Sequence, residues 1–175
     1  VLSILQFIVD IAAGLLGGLL LLRFWMQAIR VRPPAQIGQF TFTLTDWLVL
    51  PLRRLVPGMG GYDWASLIGA FLVVLLASSL LLLVGAPWET VLLGALFRFL
   101  NWVLYGFMAL LIIDAVFSWV NPNAPLAPFV HAMNTPILRP IRRVVPPIGG
   151  MDLSVLVALV LIQIIQFVLR QVFFG

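Results

Sequence analysis

Four long apolar stretches divide the chain. They are Leu2 to Ile29, interrupted by Asp10 and Arg23; Trp64 to Val84, 21 residues without a charge; Val91 to Val120, interrupted by Arg98 and Asp114; and Leu153 to Leu169, 17 uncharged residues extended by Arg170 to Phe174. A bilayer core about 30 Å thick needs about 20 apolar residues in a helix. The pattern therefore predicts four transmembrane helices. A cleaved signal peptide would start basic and be short. The first stretch has no basic start and is long, so it is expected to be a span. Between the first two spans, Ile37, Phe40, Leu44 and Trp47 or Leu48 recur at helical spacing, although Phe40 to Thr45 also alternates like a strand. Between the last two, Leu126, Phe129 or Val130, Met133 and Ile137 fit only the helical period. Each of these segments is expected to be a short amphipathic helix in the membrane interface, the second cut short at Pro136.

Composition strengthens this reading. Hydrophobic residues make up 63% of the 175 and charged residues only 9%, against about 25% in a soluble domain. That excludes an ordinary soluble globule and a disordered chain. There is no cysteine, hence no disulfide framework and no thiolate chemistry. All ten basic residues are arginine; with six acids they give a net charge of +4. The membrane accounts for this charge better than nucleic acid does, and no direct nucleic-acid partner is expected. Arg30, Arg32, Arg53 and Arg54 fall between spans one and two, and Arg139, Arg142 and Arg143 between spans three and four. The link from Gly85 to Thr90 has only Glu89. The positive-inside rule then puts both arginine segments in the cytoplasm and both termini outside, as in a multi-pass protein of the bacterial cytoplasmic (inner) membrane. Arg170 is expected to snorkel to the outer interface.

The chain also repeats itself. A shift of 89 residues lays Pro51 to Asp63 on Pro140 to Asp152, with eight of 13 positions identical. The match extends back through Phe40/Phe129, Ala35/Ala124 and Pro33/Pro122, and a two-residue slip aligns Arg23 with Asp114. Each copy is a span, a basic segment and a span: residues 1–87 form the first and residues 88–175 the second. An even number of spans per copy gives both the same orientation, a parallel repeat about an axis along the membrane normal. The fold class expected is thus an all-α membrane protein of four spans, built as two hairpins, each with a cytoplasmic interfacial helix.

Within the repeated element, Pro51 and Pro140 suit the first position of a helical turn, which Pro57 and Pro146 end. The pairs Arg53-Arg54 and Arg142-Arg143 are expected to face lipid phosphates or acidic partner groups. Gly60-Gly61 and Gly149-Gly150 allow a sharp reversal with positive φ. Asp63 and Asp152, where the next span begins, are expected to cap its free N–H groups.

This doubled Pro-hydrophobic-Arg-Arg, Pro, Gly-Gly, Asp element resembles that of the YggT family of small bacterial and plastid membrane proteins, over nearly the whole chain. Ser118-Trp119-Val-Asn121-Pro122 is similar to the family's Ser-Trp-hydrophobic-Asn-Pro stretch. Where the family often has an arginine ahead of that stretch, this chain has Asp114; the first copy keeps Arg23 but lacks the Ser-Trp pair. The resemblance implies links to osmotic or ion stress and, in plastids, to maturation of a membrane cytochrome complex and to nucleoid or division-related organisation. It implies no catalytic activity.

Charges inside a span are costly and tend to pair or to line a polar path. In parallel spans one and three, Asp10 and Arg98 share the outer side, and Arg23 and Asp114 the cytoplasmic side. Two ion pairs are expected, Asp10–Arg98 and Arg23–Asp114; an ion or proton path is the other reading. Gly14, Gly17 and Gly18 form a small-residue face, for packing within the chain or for a dimer. His131 is the only histidine, at the interface, so a bis-histidine haem site within one chain is excluded. Neither a phosphate loop nor a nucleophile triad is present, no lysine occurs, and the tryptophans fit an aromatic belt. No cofactor, metal or catalytic site is expected. Two functions remain: a non-enzymatic accessory protein that meets anionic lipid and another membrane protein or complex, with a homo-oligomer possible, or a small ion-handling, channel-like protein.

Overall fold

The computed structural model of the chain describes residues 2–145 and 152–175. Six α-helices follow in order: α1 (Leu2–Ala28), α2 (Ala35–Leu55), α3 (Trp64–Ser79), α4 (Trp88–Val120), α5 (Ala127–Val144) and α6 (Ser154–Phe174). Among the described residues there is no strand. A 3-10 turn, Leu80–Val84, prolongs α3 and is closed by Gly85 at φ +81°, whose N–H returns to the carbonyls of Leu81 and Leu82. Among the described residues, four segments are long and apolar enough to cross a bilayer: Ser3–Ala28, Trp64–Val84, Trp88–Val120 and Ser154–Phe174. Their outward faces carry Phe7, Leu15, Leu76, Leu93, Ile112, Leu156 and Phe167, large apolar side chains that water would not tolerate in such density. The chain is an all-α membrane protein by the length and composition of these helices.

The helices gather into two compact units. One holds residues up to Arg30 with Ala35–Val103; the other holds Val31–Pro34 with Leu104–Gly175, so α4 contributes to both. In the first, α3 turns a small-residue face inward: Ala65, Ser66, Gly69, Ala70, Val74, Ala77 and Ser78 are buried. Without a hydrophobic drive between helices in lipid, such residues let backbones approach and gain dispersion contacts. Leu20 of α1 and Val49 of α2 close this core with Ala65 and Ala70. A Cβ on Gly17 would overlap the Trp102 ring. The glycine face of α1 therefore receives an indole from α4. In the second unit, Leu111, Leu138, Ala158 and Ile162 form the core, from α4, α5 and α6.

The two helices that lie between the spans, α2 and α5, share one packing register. Thr41, Thr45 and Val49 are buried in α2, and at the 89-residue offset Val130, Asn134 and Leu138 are buried in α5. Their expected apolar stripes differ in fate. In α5 the stripe of Phe129, Val130 and Met133 faces inward. In α2, Phe40, Leu44 and Trp47 face outward, because small polar side chains occupy the inner face. Such an outward apolar face suits the headgroup boundary.

Two expectations about proline are corrected. Pro136 does not shorten α5, and Pro51 and Pro140 lie inside their helices rather than opening new turns. All three prolines are exposed. The carbonyls they leave without an N–H partner therefore lie where water or headgroups can hydrate them, and the helix continues.

Candidate functional site: two arginine elbows

The first elbow begins in the last turn of α2, where Arg53 and Arg54 complement the negative helix end. Gly60 at φ +67° and Gly61 at +82° then reverse the chain, as positive φ at both positions requires. The reversal brings Asp63 back onto Arg53. Arg53 Nη2 donates to Asp63 Oδ2 at 2.7 Å and Nε to Oδ1 at 3.2 Å, a two-pronged pair. Ser66 Oγ donates to Asp63 Oδ2 at 2.6 Å. The Asp63 side chain is only 2% exposed. It makes no side-chain hydrogen bond to the N–H groups opening α3, so its expected capping role is replaced by this clamp. Burial alone would push the Asp63 carboxyl up. The hydrogen bonds from Arg53 and Ser66 and the charges of Arg53 and Arg23 outweigh it and hold the group below its ordinary value. The hydrogen bond to Asp63 in turn raises Arg53 further.

Arg23 reaches the same cluster from α1. Its Nη1 donates to Asp46 Oδ1 at 2.7 Å and to Thr45 Oγ1 at 2.8 Å, and its Nε lies 3.4 Å from Asp63 Oδ2. The Phe42 ring covers the guanidinium at 4.9 Å. Thr45 Oγ1 in turn donates to the carbonyl of Thr41 at 2.7 Å. Two arginines and two aspartates thus neutralise one another at the end of α1. Asp46 was absent from the sequence expectation because the segment was weighed by its arginines. Its signal is its isolation, as the single acid within α2.

The second elbow repeats the clamp. Arg142 Nε donates to Asp152 Oδ2 at 2.8 Å, and Nη2 lies 2.7 Å from the same oxygen. Asp152 Oδ1 accepts the N–H of Ser154, the first residue of α6, at 2.9 Å. Burial raises the Asp152 carboxyl, but the hydrogen bonds from Ser154 and Arg142 bring it below its ordinary value. Pro146, Gly149 and Gly150 lie outside the described residues.

Of each arginine pair, the first member is therefore occupied within its own hairpin. The second is not. Among the described residues, neither Arg54 nor Arg143 makes a hydrogen bond or ion pair, and the apolar neighbours Leu55 and Val144 are each 80% exposed.

The intramembrane charges divide differently from the expectation. Arg98 Nη1 and Nη2 donate to the two carboxylate oxygens of Asp10, each at 2.9 Å, and Gln6 Nε2 donates to Asp10 Oδ1 at 3.0 Å. The expected Arg23–Asp114 pair is replaced within each unit. Arg23 is taken up by Asp46 and Asp63, while Asp114 Oδ1 lies 3.5 Å from His131 Nδ1 on α5. The reason is proximity: each interfacial helix supplies a polar group to the span it packs on. Asn134 of α5 likewise donates to the Leu110 carbonyl of α4 at 2.8 Å.

These features define a class: a multi-pass helical membrane protein with two clamped, arginine-bearing turns. The CCB3/YggT family profile matches the chain twice, over residues 2–84 and 93–173. The chain belongs to that family. It is 30% identical over 180 residues to a Vibrio alginolyticus protein named as uncharacterized, in the proC 3' region, covering 96% of this chain and 94% of that one. It is 30% identical over 169 residues to uncharacterized protein YggT of Escherichia coli K12, covering 96% and 90%. Uncharacterized protein PA0392 of Pseudomonas aeruginosa is 33% identical over 155 residues, covering 85% and 79%. No solved structure matches the chain.

Proposed function

We propose that the protein is a non-enzymatic membrane accessory, which holds two arginine elbows at the cytoplasmic face of the bacterial inner membrane with both termini outside. The elbows engage anionic lipid headgroups and dock a larger membrane complex whose assembly or organisation the protein supports. One observation carries this reading. In both copies an aspartate immobilises the first arginine, at 2.7 Å, while the second has no hydrogen bond or ion pair among the described residues and stands beside an exposed apolar residue. A rigid turn that presents one cation and one apolar side chain is suited to a headgroup boundary or to an acidic, partly apolar partner surface. The charges inside the spans favour this reading over ion handling. Asp10 and Arg98 neutralise each other, and Arg23 is balanced by Asp46 and Asp63. A path for ions needs groups that can exchange partners, and these are already matched.

Photo-crosslinkers at Leu55 and Val144 in the full chain test the proposal. A defined membrane protein should be captured at both positions, and Arg54→Ala with Arg143→Ala should abolish capture while the protein level holds. Ion flux through liposomes that depends on Asp10 and Arg98, with no partner captured, would establish the ion-handling reading instead.

A further inference from the structure

The outer face of α6 carries a feature that none of the elbows explains. Gln163 lies nine residues beyond Ser154, about 14 Å along a helix of 21 residues, and so close to mid-bilayer. It is exposed. Gln166, one turn further along beside that face, has a buried Nε2 with no hydrogen-bond partner among the described residues. An amide facing hydrocarbon leaves its donors and acceptor unsatisfied, which costs more than it does in water.

The repeat shows what the same register looks like when it is closed. At the 89-residue offset, Gln163 and Gln166 correspond to Val74 and Ala77 of α3, which are 0% and 3% exposed. The register is shared, since Ala158 of α6 and its counterpart Gly69 of α3 are both buried. In α3 this face is apolar and covered. In α6 it is polar, with Gln163 open and Gln166 half-buried. Among the exposed side chains of α6, those on the face of Gln163 are Leu156, Val160, Gln163, Phe167 and Arg170, spaced by four, three, four and three. That alternation is the spacing used by two helices wound on each other, and a single polar residue within such a seam sets register and partner number.

We infer that α6 pairs in parallel with α6 of a second copy of this chain, and that Gln163 of each protomer hydrogen-bonds its counterpart across a two-fold axis. The amide suits this role because it both donates and accepts, so identical residues satisfy each other. Two copies inserted in the same sense bring the same depth of helix together, which places Gln163 opposite Gln163. Arg170, about 10 Å nearer the helix end, diverges from its counterpart and reaches the interface.

The chain contains no cysteine, so single cysteines report contacts without background. In native membranes, Leu156→Cys, Val160→Cys and Phe167→Cys should each form a disulfide-linked dimer on mild oxidation. Leu161→Cys and Ile165→Cys, exposed on other faces of the same helix, should stay monomeric. Gln163→Val in the Val160→Cys background should lower the dimer yield several-fold, and Gln163→Asn should restore most of it. Equal crosslinking all round the helix, monomers at every seam position, or crosslinks from the seam to a different protein would each overturn the pairing. The cysteine positions are lipid-exposed, and wild-type protein levels in each variant establish that folding is intact.

Discussion

Asp63 is the residue on which the first unit turns. It is nearly inaccessible and answers two arginines, so Asp63→Asn leaves Arg23, itself 6% exposed, short of charge in a poorly solvated place, while Arg53, 41% exposed, can turn to solvent. Breaking such a buried pair costs about 3 kcal/mol. The counterpart Asp152→Asn acts on side chains that are 35% and 42% exposed and should cost less than about 1 kcal/mol. Thermal unfolding of the two variants in detergent compares them directly, and equal losses would count against the clamp. The same carboxylate sets a pH dependence. Its folded pKa lies below its ordinary value of 3.8. Its stabilisation is therefore full above that value and is lost as pH falls through the lower folded value. Melting temperature should drop on acidification below about pH 4, and Asp63→Asn should flatten that drop. The sequence showed Asp63 as a repeated residue after two glycines. It did not reveal the clamp, since an aspartate before a helix fits a cap equally well. Only the chain reversal through Gly60 and Gly61 selects Arg53 over the backbone.

At the scale of the helix, contact depends on shape. Gly17 admits Trp102, and any larger side chain meets the ring. Gly17→Leu should destabilise the first unit by about 1–3 kcal/mol, and Trp102→Ala in the same chain should relieve the overlap. Thermal unfolding of the single and double variants measures this; an additive loss would contradict the contact. The Asp10–Arg98 pair joins the same two helices. Either single alanine variant should lower the protein level, whereas the exchange Asp10→Arg with Arg98→Asp should recover it, as immunoblots of membranes will read. Helix existence and the four spans were legible because apolar runs of 17 residues or more admit few other readings. The inner face of α2 was not. A helix whose inner face is Gly38, Thr41 and Thr45 hides its packing from any hydrophobic pattern, and its Phe40 and Trp47 point the pattern outward. Thr45, one partner of Arg23, was missed for the same reason, because it lies on that unrecognised face.

For the whole molecule, the doubled element organises everything else. The 89-residue offset relates the clamps Arg53–Asp63 and Arg142–Asp152, the second arginines Arg54 and Arg143, and the buried faces of α2 and α5. Where the copies diverge, the chain gains something specific: Asp114 opposite His131 in one place, Gln163 in another. A parallel repeat with two spans per copy requires both elbows on one side of the bilayer, and the proposed function puts that side in the cytoplasm. Leu55→Cys and Val144→Cys, each alone in a chain that has no cysteine of its own, give the most direct test. Both should resist a membrane-impermeant maleimide in intact cells and react once the inner membrane is opened. Labelling of one position from outside, with the other protected, would contradict the shared orientation on which the account rests.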